Sequence, residues 1–265
     1  MNTYALVTGA SGGIGYHIAH QLAGRKHNIL LVARSEEKLK ELSAQLANQY
    51  GVRCDYVSMD LSLPGAAKLL FDWCSSKKYE INILINNAGY GLFGYFDKQE
   101  VTEVRNMMQL NMNTMMELCH VFLPMLKLKS RSYILNVAST SSYQAVPTLS
   151  VYAATKAFVV LFTRGLRYEL KRTSVSVSCL SPGTTGTNFM DRARMEALKI
   201  KAEKFSMPAD EVARIGIEGM LNGKAEIIPG FINWISAKLT GFVPKALTEK
   251  IAAGIYKDGL DHPKG

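Results

Sequence analysis

The chain has 265 residues, 48% of them hydrophobic and 20% charged, with a mean hydropathy of +0.02. That apolar content excludes disorder as the main state, and 21 glycines and 8 prolines are too few for a collagen-like or low-complexity chain. The net charge of +9 comes as singles and short pairs, such as Arg25 with Lys26 and Lys171 with Arg172. It points to solubility and an anionic cofactor, and no nucleic-acid partner is expected.

Cys54, Cys74, Cys119 and Cys179 are far apart and lie mostly in apolar segments. They read as reduced thiols, not as a disulfide framework. The first apolar stretch, Tyr4–Val7, is too short for a signal-peptide core and lacks a basic lead. The longest uncharged run, Ser132–Thr155, carries Asn136, Gln144 and Pro147, and is too polar and broken to span a bilayer. A cytoplasmic protein without an integral membrane segment is expected. The five histidines show no metal-ligand spacing beside acids, so no metal is expected.

In chain order, Tyr4–Val7 is predicted as a buried strand, followed by a glycine-rich turn and a helix to Arg25. Asn28–Ala33 is the second strand. Ser35 then serves as N-cap, with Glu36 and Glu37 in the first turn, where the helix dipole favours acids; this helix runs to Tyr50. Val52–Ser58 is a strand, Pro64–Lys77 a helix and Ile81–Asn86 a strand. One helical region is predicted from Lys98 to Lys127. Tyr133–Ala138 is the fifth strand, Val151–Arg172 a long helix and Val175–Leu180 the sixth strand. Pro208 opens a helix over Ala209–Asn222, and Ala225–Ile228 is the seventh strand. Strands without polar alternation, separated by helices, predict an α/β fold with a doubly wound parallel sheet covered on both faces. No linker interrupts the alternation. Residues 1–230 therefore read as one domain, and residues 231–265 as its helical extension.

The first strand runs into Thr8-Gly9-Ala10-Ser11-Gly12-Gly13-Ile14-Gly15 and then a helix. Glycine permits positive φ and lets a pyrophosphate approach the backbone, and free N–H groups at a helix start hold phosphates. The second strand ends Ala33-Arg34, with no acid at its tip to hold ribose hydroxyls. A guanidinium there suits the 2′-phosphate of NADP(H). Asn86-Asn87-Ala88-Gly89 closes the fourth strand; these residues fit either a site at the strand's carboxyl end or an Asn-rich turn.

Tyr152 and Lys156 stand four apart, on one face of a helix. A phenol with a pKa near 10 is a poor acid–base catalyst at neutral pH, and lowering it by about 3 units requires roughly 4 kcal/mol of differential stabilisation. A neighbouring ammonium supplies part of that. Tyr168 and Arg172 share the spacing and read as a surface pair.

Together these residues resemble the short-chain dehydrogenase/reductase family, over Thr3 to about Ile228. Thr8 to Gly15 is similar to the family's glycine loop TGxxxGIG, and Asn86 to Gly89 to its NNAG. Ser139, thirteen residues before Tyr152, stands where the family carries its catalytic serine; Asn111 matches its structural and proton-relay asparagine. Asp60, followed by Leu61, matches the acid that meets the adenine, and Pro182-Gly183 with Thr187 matches the turn that meets the carboxamide. Thr155 replaces a common Ser, a mild departure. The resemblance implies a Rossmann-type sheet and hydride transfer between NADP(H) and a small-molecule carbonyl or alcohol. Its catalytic residues would be Ser139, Tyr152, Lys156 and Asn111. Its cofactor-binding residues would be Gly9, Ser11, Gly12, Gly13, Ile14, Gly15, Arg34, Asp60, Leu61, Asn87, Ala88, Gly89, Tyr152, Lys156, Pro182, Gly183 and Thr187. Rival readings are a non-catalytic NADP(H)-binding sensor, and an epimerase or dehydratase on the same fold.

Tyr90–Phe96, Tyr143–Leu149 and Asn188–Arg194 are predicted to line the substrate site; their apolar character fits a hydrophobic ketone, aldehyde or 3-oxoacyl-like chain. A homodimer or homotetramer is expected, paired through Ala153, Ala154, Ala157, Phe158 and Phe162. The extension is interrupted by Gly241 and Pro244. Its apolar residues, from Trp234 to Ile255, fit packing on the same or a neighbouring subunit, a substrate lid or membrane contact.

Overall fold

The computed structural model describes residues 3–186, 193 and 206–257. Strands β1 (Thr3–Thr8), β2 (Asn28–Ala33), β3 (Cys54–Ser58), β4 (Glu80–Asn86), β5 (Ser132–Val137), β6 (Val175–Leu180) and β7 (Glu226–Ile227) form one parallel sheet. Its order is β3-β2-β1-β4-β5-β6-β7. The chain starts mid-sheet, winds to one edge, then returns and winds to the other. That reversal opens a crevice at the carboxyl ends of β1 and β4, where doubly wound sheets hold ligands.

The helices are α1 (Gly13–Gly24), α2 (Glu36–Tyr50), α3 (Ala66–Ser76), α4 (Val101–Met108), α5 (Met115–Lys127), α6 (Ser150–Glu169), α7 (Ala209–Leu221), α8 (Phe231–Leu239) and α9 (Lys245–Lys257). Both faces of the sheet are covered. Ala5 and Val7 of β1 pack with Ile18 and Leu22 of α1 and Ile217 of α7. Leu6, between them, faces the other way, toward Leu70 of α3, Phe122 of α5 and Val159 of α6. Successive strand residues alternate faces, which is why a strand buried on both sides needs an unbroken apolar run.

Several boundaries differ from expectation. Ser35 occupies the N-cap of α2, yet its hydroxyl makes no cap bond; its carbonyl accepts the Leu39 N–H at 3.1 Å. The predicted 98–127 helix is three pieces: a 3-10 turn over Phe96–Lys98, then α4, then α5 joined to α4 by a π turn over Gln109–Thr114. The wider turn brings both Asn111 and Thr114 inside, where Thr114 Oγ1 donates to the Leu61 carbonyl at 2.7 Å. Helix α6 stops at Glu169, short of Arg172, because Leu170 turns into the core and its carbonyl accepts the Thr173 N–H at 2.9 Å.

Candidate active site

The glycine loop sits between β1 and α1, with Gly9 and Gly13 at φ of +66° and +55°. A Cβ on Gly9 would lie 2.8 Å from Asn87 Nδ2 and 2.9 Å from Ala88 Cα. The loop is thus stacked against the end of β4. Thr8 Oγ1 donates to the Ile85 carbonyl at 3.1 Å and accepts the N–H groups of Asn87 and Ala88 at 3.0 and 3.1 Å. Asn87 Nδ2 donates back to the Thr8 carbonyl at 3.0 Å and the Gly9 carbonyl at 3.2 Å.

The two asparagines therefore divide the work. Asn87 braces the glycine loop. Asn86 turns inward and donates to Asn136 Oδ1 at 2.8 Å, joining β4 to β5. Gly12 faces open space: its own Cβ would meet nothing within 4 Å, and its φ of 177° is ordinary extended backbone. The start of α1 is thus open to an approaching phosphate, with Ser11, Gly13 and Ile14 partly exposed around Gly12.

Arg34 follows β2 and is exposed, and its guanidinium has no side-chain partner among the described residues. Ala33 beside it is buried. Asp60 follows β3; its Oδ1 accepts the Ser62 N–H at 2.9 Å and the Ser62 hydroxyl at 2.7 Å, and Leu61 is buried next to it.

On the other half of the sheet, Ser139 caps the turn Thr140–Tyr143 after β5. Its Oγ accepts the Ser141 N–H at 3.1 Å, and the Thr140 N–H reaches the Pro182 carbonyl at 2.9 Å. Tyr152 and Lys156 both lie on the buried side of α6. Lys156 Nζ stands 5.9 Å from the centroid of the Tyr152 ring and donates to the Val137 carbonyl at 2.9 Å. Burial pulls its pKa from 10.5 down to about 8. A Cβ on Gly89 would lie 3.3 Å from that Nζ and 2.9 Å from Asn111 Oδ1, so this position admits a residue without a side chain.

Asn111 ties the site together. Its Oδ1 accepts the Tyr90 N–H at 3.2 Å, and its Nδ2 donates to the Tyr90 carbonyl at 2.9 Å and to Thr155 Oγ1 at 3.0 Å. Thr155 Oγ1 passes its own proton to the Tyr152 carbonyl at 2.7 Å. Threonine thus keeps the hydroxyl that serine would bring. Tyr152 also packs in an apolar cluster with Tyr90, Leu92, Val146, Leu149 and Ala193. Of the other expected positions, Pro182 is buried after β6, while Thr187, Asn188–Asp191, Arg192 and Arg194 lie outside the described residues.

A second set was not visible in the sequence. Tyr143, four residues after Ser139, donates to Glu226 Oε1 at 2.8 Å and lies 3.0 Å from Ser181 Oγ. Glu226 Oε2 accepts from Lys238 of α8 at 2.9 Å, with Arg164 at 3.9 Å. Burial works against the Glu226 carboxylate, but the bonds from Lys238 and Tyr143 and the charges of Lys238 and Arg164 win and hold its pKa below the usual range. Asn233 of the same helix lies against Gly183, where a Cβ would come within 2.5 Å of its Nδ2. The sequence put Tyr143 in the substrate-site lining; the structure instead packs it away from the Tyr152 cluster and turns its hydroxyl to Ser181 and Glu226.

A strand-to-helix glycine loop and a braced strand end at the sheet's crevice, with a Tyr–Lys pair on α6, form the arrangement expected of a dinucleotide-dependent oxidoreductase. The chain belongs to the short-chain dehydrogenase/reductase family: the model of that family, short chain dehydrogenase, matches residues 3–197. An uncharacterized oxidoreductase of Staphylococcus epidermidis is 34% identical over 202 residues, 74% of this chain and 86% of that one. Very-long-chain 3-oxoacyl-CoA reductase-B of Danio rerio is 30% identical over 260 residues, 96% of this chain and 80% of that one. A short-chain dehydrogenase from Sphingobium yanoikuyae, solved in complex with NADPH, superposes with a TM-score of 0.80 at 27% identity, over 92% of this chain and 97% of that one.

Proposed function

We propose that the chain reduces the carbonyl group of a hydrophobic ketone, aldehyde or 3-oxoacyl compound with NADPH, and oxidises the matching alcohol in reverse. The observation that carries this reading is the apolar cluster of Tyr90, Leu92, Val146 and Leu149 packed on Tyr152 beside the buried Lys156. A 3-oxoacyl reductase among the relatives supports the same substrate class.

When bound, nicotinamide supplies or accepts the hydride. The chain's part is to hold and protonate. Ser139 Oγ already accepts the Ser141 N–H, which leaves its own proton to donate to a carbonyl oxygen. Tyr152 donates the proton that makes the alcohol. Lys156 has three N–H bonds; one goes to Val137, and the other two serve the ribose hydroxyls while the charge lowers the phenol's pKa. The Asn111 amide is committed to Tyr90 and Thr155, so a proton-relay water at this residue is left its main-chain carbonyl. On the cofactor side, Gly12 and its neighbours hold the pyrophosphate, Arg34 and Ser11 the 2′-phosphate, Asp60 and Leu61 the adenine, and Pro182, Gly183 and Thr187 the carboxamide.

The chain works as a homo-oligomer paired through α6. Ala153 is buried within its own subunit and does not belong to that face, whereas Ala154, Phe158 and Leu161 are exposed. Phe158 and Phe162 stack with centroids 5.8 Å apart.

The test follows NADPH oxidation by absorbance against aryl ketones, aldehydes and 3-oxoacyl thioesters of increasing length, with Tyr152→Phe as control. Turnover is expected to rise with apolar size. No oxidation of any of them, or near-normal turnover in the variant, overturns the reading.

A further inference from the structure

The two helices after the sheet pack the reverse of an ordinary surface helix. Their small residues face inward: Ala237, Thr248 and Ala252 are buried. Most of their described large apolar residues face outward. Phe231 is 74% exposed, Ile232 79% and Phe242, in the turn between α8 and α9, 88%. The Trp234 indole stacks on the Phe231 ring with centroids 6.3 Å apart, and Leu247 and Ile251 are exposed one turn apart on α9. A surface helix normally turns its apolar stripe to the core. Here the stripe that would fill a core is left facing outward, as apolar patches on docking surfaces are.

The charge around it says which kind. Residues 231–257 carry Lys238, Lys245, Lys250 and Lys257 against one acid, Glu249. Lys238 is spent on Glu226, whereas Lys245 and Lys250 are exposed and have no acid within salt-bridge distance among the described residues. We infer that this face docks on the surface of an anionic phospholipid membrane. Interfacial helices combine aromatic and aliphatic residues, which enter the acyl boundary, with lysines that stay at the phosphate level. Each such lysine adds roughly fivefold to binding on an anionic surface.

A second copy of this chain suits the face less well. A two-fold contact sets the same patch against itself and so brings two lysine-bearing surfaces together, and lysine is depleted at the centre of protein interfaces. No helix among the described residues is long and apolar enough to cross a membrane, so the contact is peripheral. Because α8 also carries Asn233 against Gly183, docking sets that turn directly behind the membrane-facing helix.

The full chain is sedimented with phosphatidylcholine vesicles, with and without phosphatidylglycerol, while light scattering records particle mass. Binding is expected to the anionic vesicles, at least about tenfold weaker for the neutral ones and for the double variant Phe231→Ser with Phe242→Ser. The double variant Lys245→Glu with Lys250→Glu is expected to bind the anionic vesicles at least about tenfold more weakly. These side chains are exposed, so unchanged thermal unfolding checks that the variants fold. Failure of the unaltered chain to bind anionic vesicles, or equal binding by the serine variant, overturns the inference. So does a serine variant whose particle mass falls, because the face is then a contact between copies.

Discussion

A methyl group on Gly15 would come within 2.3 Å of the Gly9 carbonyl oxygen and 2.4 Å of Asn87 Nδ2. The start of α1 therefore rests directly on the turn that precedes it. Gly12, three residues earlier, has open space where its side chain would be. The two glycines separate folding from binding. Gly15→Ala is expected to cost about 1–3 kcal/mol of stability without any ligand, the range for overpacking. Gly12→Ala is expected to leave stability within about 0.5 kcal/mol and to weaken NADPH binding by at least about tenfold, since it fills the approach to the helix start. Thermal unfolding and a fluorescence titration read the two effects. Equal stability loss in both variants contradicts this division.

The Lys156 ammonium carries a burial cost that depends on pH. Its pKa falls from 10.5 to about 8, so both folded and unfolded chains hold the proton below pH 8, and the cost is then fully present. Between about 8 and 10.5 the folded chain releases its proton first, and stability contributed by this group rises with pH. The variant Lys156→Met lacks the cost. Relative to it, the unaltered chain without cofactor is expected to gain up to about 3 kcal/mol as pH is raised across that window. Carbonyl reduction moves the opposite way, because losing the ammonium removes the charge that lowers the phenol's pKa. Denaturant unfolding from pH 7 to 10 checks the first effect, and a constant difference between the two chains contradicts it.

The sheet was legible because a strand buried on both faces must be written in an unbroken apolar run, as in Leu30-Leu31-Val32. Tyr152 with Lys156 was legible because helix periodicity alone puts both on one side of α6. The π turn at Gln109–Thr114 was not, since the partners it meets, Leu61, Tyr90 and Thr155, come from separate parts of the chain. Glu226 was hidden for the same reason: its partners Tyr143 and Lys238 come from separate elements. The apolar face of α8 and α9 was legible, but not that most of it turns outward. An amphipathic pattern fixes which residues share a side, not which side is turned inward.

Glu226 makes the turn that carries Ser139 sensitive to the last helices of the chain. Its carboxyl is held below its ordinary pKa of 4.5, so the stability it contributes is present above that value and lost as pH falls through the lower, folded-state value. Glu226→Gln is expected to cost about 1–2 kcal/mol at neutral pH, a figure discounted for partial exposure, and the gap should close on acidification. Tyr143→Phe removes the contacts to Glu226 and Ser181 while leaving Lys238 on the carboxylate, and is expected to lower kcat more than it raises KM. Paired unfolding curves at pH 7 and pH 3, with kinetics on any accepted carbonyl, check both. A gap that widens in acid refutes the role given to the carboxylate.

Cofactor choice is expected to turn on the tip of β2. Ala33 brings no carboxylate to meet ribose hydroxyls or to repel a phosphate, and the exposed Arg34 guanidinium has no side-chain partner among the described residues. A charge-assisted hydrogen bond contributes roughly 1.5–3 kcal/mol, so one such contact to a 2′-phosphate predicts a preference for NADPH of about 10- to 150-fold. Glu36 and Glu37 are the acids that could reverse this by reaching back to the ribose. They open the first turn of α2, where the helix dipole favours them. The double variant Ala33→Asp with Arg34→Ala is expected to invert the preference, because its carboxylate meets a ribose hydroxyl and opposes a phosphate. The deciding measurement is kcat/KM for NADPH over NADH. A ratio below one in the unaltered chain overturns the preference assigned to Arg34.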